Sequence, residues 1–471
     1  MRELQGVPAR MAQVIAFAFS LLFVYTSGFG LISIEIHRGG YILLTYLLIF
    51  LLFPFKRKSG SRKVTLLDWI LCALTLASLG YWIVEYPSYA LRIGDPNMWD
   101  LTTGAIVIAL SFEACRRVVG YVLPALAAIM LLYAYFGPYV PGMFGHYGAT
   151  LTRIVDFIGS SMGGIYGIVA NTYATFIFPF IIFASFLQAA GAGKAVEEIS
   201  LAAAGGTRGG PAKVAVIASA FIGSVTGSSA ANAVATGSYT IPLMIKAGYK
   251  RHVAAAVEAS ASTGGQFLPP VMGAAAFLIA AFTDTAYLDV VKLSVFPALI
   301  YFLGVGFMVH FIAARSGLKG LPREQLPKLS TALWYKGHLL LPILVILGVL
   351  FIGYTAQIAA FCAIVSTVAF SYIRKDTRMK PSQILNGLIL GARNSLTVGA
   401  TVGVIGIIIG VVTMSGLGIK FSHAILSMSM GLLPLTLLLV AIGGYIIGMG
   451  VTITATYILL SVLAVPSLMD F

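Results

Sequence analysis

Long apolar runs, each near the length of a membrane-spanning helix, constrain this chain more than any other feature. Val14 to Ile34, Tyr41 to Phe55, Leu66 to Val84, Val118 to Phe136, Gly163 to Leu187 and Leu293 to Ala313 are such runs. Most approach the ~20 residues that a spanning helix needs. Hydrophobic residues make up 59% of the 471 residues and charged residues 10%, with a mean hydropathy of +0.95, far from a soluble domain. An all-α polytopic membrane protein follows, because a segment in hydrocarbon must satisfy its own backbone polar groups. Period-two alternation over ~10-residue units does not recur, which argues against a β-barrel. The first apolar run is not followed by a small-residue cleavage site, so it reads as a retained span rather than a signal peptide.

A net charge of +14 would suit a nucleic-acid partner, but the basic residues sit in short loops between spans, so no nucleic acid is expected. They report topology instead. Arg2 and Arg10, then Lys56, Arg57, Lys58, Arg62 and Lys63, then Arg116 and Arg117, fall after every second crossing, which places the N-terminus in the cytoplasm. Lys194, Arg208 and Lys213, then Lys246, Lys250 and Arg251, then Arg315 to Lys328, then Arg374 to Lys380, keep that register. Cys72, Cys115 and Cys362 lie in or beside apolar segments without CxxC spacing and read as packing residues.

The chain divides near 146–152. Residues 1–148 hold about five apolar segments and read as an accessory bundle, ending in the turn-rich stretch YAYFGPYVPGMFGHYG (133–148). Residues 149–471 carry the polar chemistry. There GSVTGSSAANAVATGSYTIPLM (223–244) is rich in glycine and hydroxyls, and only 32 residues separate Lys213 from Lys246, which are expected on the same side. Two full spans would need ~40 residues. The stretch therefore predicts a re-entrant hairpin with its tip at Thr226 to Asn232, because irregular backbone at membrane depth survives only where it lines a cavity or is buried in protein. The competing reading is close helix packing through small residues.

A second interruption follows in VAAAVEASASTGGQFLPPVMGAAAF (253–277). Its helix is expected to break at Thr263-Gly264-Gly265-Gln266 and to resume past Pro269-Pro270. Broken helices beside a hairpin tip suit a midplane site, with oxygens for a hard cation and helix N-termini for an anion. Glu258 precedes the break and reads either as a proton-coupling carboxylate or as a group snorkelling toward Lys250 or Arg251.

An internal repeat supports this reading. AGAGKAVEEISLAAAGG (190–206) aligns with SGLGIKFSHAILSMSMG (415–431), and nearly the same offset of 225 residues carries SYTIPLM (238–244) onto LAVPSLM (463–469). A second tip then falls on GMGVTITATY (448–457), expected to enter from the opposite face as an inverted-topology repeat. Repeat one is read as 151–313, connecting spans as 314–380 and repeat two as 381–471.

The hairpin and break motifs, with FEACRRVVGYVLPALAAIMLLYAYFGPYVPG (112–142), resemble the fused membrane component of tripartite ATP-independent periplasmic (TRAP) transporters of the TAXI type. The resemblance covers essentially the whole chain. It implies an elevator-type, ion-coupled importer in the bacterial inner membrane, fed with small organic acid anions by a TAXI-type periplasmic binding protein. It implies no cofactor; sodium is the expected coupling ion, with a proton the alternative. By matching motif, the ion site maps to Ser228, Ser229, Asn232, Thr263, Gly264, Gly265 and Pro269, and, at the second tip, to Gly450, Thr452 and Thr454. Thr226, Thr236, Ser262, Gln266 and Thr456 beside them are the expected substrate contacts.

Repeat two stops just after its hairpin, so a broken helix and last span of roughly 70 residues are expected to be missing if the repeats are equal. A binding-protein-independent sodium/carboxylate symporter has similar architecture and is the alternative. An enzyme is not expected: the Ser228 region has no GxSxG, so an intramembrane serine hydrolase has little support.

Overall fold

In hydrocarbon every backbone N–H and C=O needs an internal partner, and among the described residues the chain meets that demand with helices and without strands. The computed structural model describes residues 1–2, 4–56, 63–449, 453–463, 465 and 468. Gly450 and Thr452 lie outside the described residues, as do Arg57, Lys58, Arg62 and most of 463–469.

The helices are α1 (Val7–Phe29), α2 (Ile34–Leu52), α3 (Leu66–Tyr89), α4 (Met98–Val118), α5 (Val122–Phe136), α6 (Leu151–Val155), α7 (Ile168–Thr172), α8 (Phe178–Ala189), α9 (Ala192–Ala204), α10 (Gly210–Thr226) and α11 (Ser229–Lys246). They continue as α12 (Arg251–Gly264), α13 (Ala274–Thr283), α14 (Tyr287–Arg315), α15 (Leu329–Lys336), α16 (Leu341–Phe351), α17 (Ala356–Ser371), α18 (Pro381–Gly399), α19 (Val402–Ser415), α20 (Leu417–Met428), α21 (Leu433–Gly448) and α22 (Ile453–Leu463). Among the described residues, nine helical stretches are long and apolar enough to cross a bilayer.

Local chemistry moves several boundaries from those read off the apolar runs. The first span is α1, not Val14 to Ile34: Gly30 turns the chain at φ +98°, and Ser33 starts α2 by accepting the Ile36 N–H. Capping boxes start α3 at Thr65/Asp68 and α4 at Asn97/Asp100. The expected continuous run Gly163 to Leu187 is instead irregular until Ile168, and the apolar span is Ile168–Ala189. The glycine-rich 159–167 backbone folds back on itself there. A Cβ on Gly164 would stand 2.3 Å from the Ile158 carbonyl, and the Ile165 N–H bonds to that same carbonyl.

Two compact units form. One comprises 1–22, 30–175 and 393–471; the other comprises 23–29 and 176–392. In the first, Asp68 is fully buried and pairs with Arg2 at 2.8 Å and Arg117 at 2.6 Å. Arg117 also pairs with Glu113 at 2.7 Å. This network ties the chain start, the N-terminus of α3 and the C-terminus of α4 together. In the same unit α21 and α22 run antiparallel: a Cβ on Gly444 would lie 3.0 Å from Leu460, and one on Gly448 would lie 3.7 Å from Thr456. The second unit holds the α10–α11 hairpin and the interrupted helix α12–α13.

Candidate functional site

The hairpin tip is built by two residues with different duties. Gly227 ends α10 in the left-handed region (φ +62°), returning its N–H to the Gly223 carbonyl. Ser228 is extended and caps α11 by accepting the Ala231 N–H at 3.3 Å. A side chain at Gly227 is excluded twice, since its Cβ would also stand 2.3 Å from the Met272 carbonyl. Ending α10 here leaves the Ser224 carbonyl without its helical partner. The N–H groups of Val271 (3.2 Å) and Met272 (3.1 Å) donate to it, so the hairpin and the helix break satisfy one another.

The break falls where its glycines and prolines predict. After Gly264 the chain makes one tight turn over Gly265–Phe267, passes Pro269 and Pro270, and restarts at Ala274. Its freed carbonyls find new donors: the Tyr287 hydroxyl faces those of Pro270 (3.0 Å) and Val271, and the Gly273 N–H reaches that of Gln266. Phe277 stacks on the Tyr287 ring with centroids 4.5 Å apart.

Glu258, one turn before the break, is 1% exposed. Four hydroxyls from three helices contact its carboxyl group: Ser219 of α10 at 2.8 Å, Thr236 and Thr240 (2.5 Å) of α11, and Ser262 of α12 at 3.2 Å. No ion pair to Lys250 or Arg251 forms among the described residues; the carboxyl lies in a neutral cage linking both hairpin arms to the broken helix. Hydroxyl groups can satisfy a buried carboxyl group without a counter-charge. One turn nearer the tip, the Asn232 side chain is fully buried. Its Nδ2 donates to the Ser219 carbonyl at 2.8 Å, while its Oδ1 has no hydrogen-bond partner. Buried polar atoms are usually hydrogen-bonded, so this oxygen is an exception among them.

The structure brings Asn232 and Gly265 together at Gly223, with Ser228 at the adjoining tip, and gives the residues expected at the ion site different local roles. Ser228 is a cap, Thr263 bonds back to the Ala259 carbonyl at 2.8 Å, and Gly264 and Gly265 serve close approach. Thr236 and Ser262, expected against substrate, turn onto Glu258 instead. Gln266 contributes its carbonyl to the break. Thr226 lines a cavity of about 410 Å³ with Gln188, Lys194, Glu197 and Tyr239. The Thr226 and Tyr239 hydroxyls are buried without partners. Burial, reinforced by Glu198, raises the Glu197 carboxyl above the ordinary range, with Lys194 and Lys336 opposing. At the second hairpin Thr454 and Thr456 lie on α22, and the Thr456 hydroxyl is buried without a partner.

Sequence reading missed Ser219 and Thr240, whose hydroxyls gain meaning only from Glu258. In the other unit, Arg393 on α18 is a further ionisable residue that sequence reading passed over, and its Nε is buried and unpartnered. An ionisable residue within an apolar stretch was the available signal.

The family model described as "Tripartite ATP-independent periplasmic transporter, DctM component" matches residues 106–471. The chain is 28% identical over 205 residues to the C4-dicarboxylate TRAP transporter large permease protein DctM of Pseudomonas aeruginosa, covering 42% of this chain and 47% of the relative. The protein of the same description from Vibrio cholerae is 29% identical over 237 residues, 49% and 50% of the two chains. The isethionate TRAP transporter permease protein DctMQ of Oleidesulfovibrio alaskensis is 24% identical over 329 residues, 60% and 52%. The chain spans about half the length of the curated relatives it matches.

Proposed function

The chain belongs to the DctM component family of tripartite ATP-independent periplasmic transporters, and from that premise we propose that it is a membrane permease of an ion-coupled importer. Its cargo is a small organic acid anion delivered by a TAXI-type periplasmic binding protein, carried by elevator-type movement across the bacterial inner membrane. Relatives are named for C4-dicarboxylate, isethionate and ectoine, so the anion class rests on the chemistry of the site. The α11 N-terminus at the tip carries the positive end of a helix dipole, which favours a carboxylate.

One observation carries the coupling reading. The Asn232 Oδ1 is buried and unpartnered where the hairpin meets the break, which is the ligand that a dehydrated cation takes from an amide. Sodium is the proposed ion because the position offers a neutral oxygen rather than a proton-accepting group. The Glu258 cage holds the hairpin to the broken helix beside it.

Uptake of radiolabelled dicarboxylates into liposomes, with sodium or proton gradients and with or without the binding protein, tests this. Sodium-driven uptake that requires the binding protein, and is lost in Asn232→Ala, is expected. Uptake driven only by a proton gradient would reject sodium coupling. Uptake undiminished without the binding protein would favour a binding-protein-independent symporter.

A further inference from the structure

In the unit formed by 23–29 and 176–392, a groove of about 670 Å³ runs between α10 and α14, apart from the hairpin tip. Its size falls within the range of small-molecule sites, roughly 300–1,000 Å³. Lys213 lies at the start of the α10 wall, and His310 lies near the end of the α14 wall. The helices are antiparallel: the start of α10 meets the end of α14, where a Cβ on Gly209 would stand 2.6 Å from that of Ala313. Both basic residues therefore share one end of the groove.

From that end the lining turns apolar, through Leu303 and Phe307 to Leu268, which immediately precedes Pro269 at the helix break. Leu303 and Phe307 are 58% and 59% exposed. Among the described residues, no carboxylate lines the groove. Arg208, Arg315 and Lys319 are exposed in the segments flanking its basic end. Gly306, on the α14 wall, has nothing within 4 Å of where its Cβ would be, so the middle of the groove is open. A polar cationic end joined to a long apolar body complements a single kind of molecule in a bilayer, one with an anionic head and a hydrocarbon tail.

We propose that this groove is a binding site for an anionic phospholipid, with its phosphate on Lys213 and His310 and one acyl chain lying along α14 toward Leu268. The occupant is a bilayer lipid rather than a soluble anion, because the basic end alone offers no enclosure. Its tail ends against the residue before the break, so occupancy stiffens the turn on which the hairpin packs.

The test uses the full chain purified in detergent, with native mass spectrometry and thermal unfolding in the presence of phosphatidylglycerol, phosphatidylcholine of the same chains, or glycerol phosphate. Phosphatidylglycerol is expected to bind about tenfold more tightly than phosphatidylcholine, and glycerol phosphate is expected to leave the unfolding midpoint unmoved. The double variant Lys213→Gln/His310→Gln should abolish the preference. Gly306→Phe should fill the groove and weaken both lipids, and it is read against the lipid-free midpoint of each variant so that misfolding is recognised. Equal binding of the two lipids, a preference that survives the double variant, lipid binding untouched by Gly306→Phe, or stabilisation by glycerol phosphate alone would each overturn the proposal.

Discussion

Gly223 of the hairpin and Gly265 of the helix break touch backbone to backbone. A Cβ on Gly223 would lie 2.7 Å from the Gly265 Cα, and one on Gly265 would lie 2.5 Å from the Gly223 Cα. The contact holds Asn232 over the break, because the same Gly223 Cβ would also reach the Asn232 Nδ2 at 2.7 Å.

Gly223→Ala and Gly265→Ala are therefore expected to push the hairpin off the break. A Cβ on Gly265 meets only backbone, and one on Gly223 meets the Gly265 Cα as well as the buried Asn232 side chain, so each should cost about 1–3 kcal/mol. Thermal unfolding in detergent measures it. Midpoints equal to the parent in both variants would mean that the two elements do not approach this closely.

Glu258→Ala removes the shared acceptor of four hydroxyls. Thr236 and Thr240 keep helix carbonyls within 2.8 and 3.0 Å and Ser219 keeps the Thr236 hydroxyl at 3.0 Å, but Ser262 loses its carboxyl acceptor in a dry site. A group left unsatisfied costs about 1–3 kcal/mol. Glu258→Gln retains an acceptor oxygen and the volume, so it should cost less than Glu258→Ala in the same unfolding assay. Equal losses would show that packing rather than the hydroxyl cage holds the site.

Tyr287→Phe keeps the stacked ring on Phe277 but removes the donor to the Pro270 and Val271 carbonyls. Those carbonyls lie in a break with no helical partner, so the loss should be about 1–3 kcal/mol. Faster amide exchange at 271–273 should accompany it. Unchanged exchange there would sink the claim that the Tyr287 hydroxyl pins the break.

In the other unit, Asp68→Asn leaves the buried guanidinium groups of Arg2 and Arg117 without their common carboxylate. Breaking a buried pair by neutralising one partner costs about 3–5 kcal/mol. Since Arg2 also donates its backbone N–H to the Leu52 carbonyl at 2.7 Å, the N-terminal segment should become susceptible to protease in this variant. An N-terminus as resistant as that of the parent would reject the anchoring role.

Features made by local backbone chemistry were legible in the linear chain. The Thr226–Asn232 tip contains the turn seen at Gly227 and Ser228, because a left-handed glycine and a serine cap need only their immediate neighbours. The Thr263–Pro270 interruption holds for the same reason, since paired glycines and prolines cannot continue a helix whatever surrounds them. The run after Gly163 was misread as a plain span, because apolarity alone does not reveal that a backbone folds back on the carbonyl of Ile158.

The amino-acid sequence by itself determined that this chain is a set of membrane-length helices with a hairpin at Thr226–Asn232 and a broken helix after it, through hydropathy and through residues whose effect on φ and ψ is local. Only the tertiary structure decided what Glu258 is. Its hydroxyl partners Ser219, Thr236 and Thr240 lie 39, 22 and 18 residues away along the chain. Local periodicity cannot specify which faces of three helices turn toward one another; the choice is made when they pack, because a buried carboxyl group must find its donors wherever the fold has placed them.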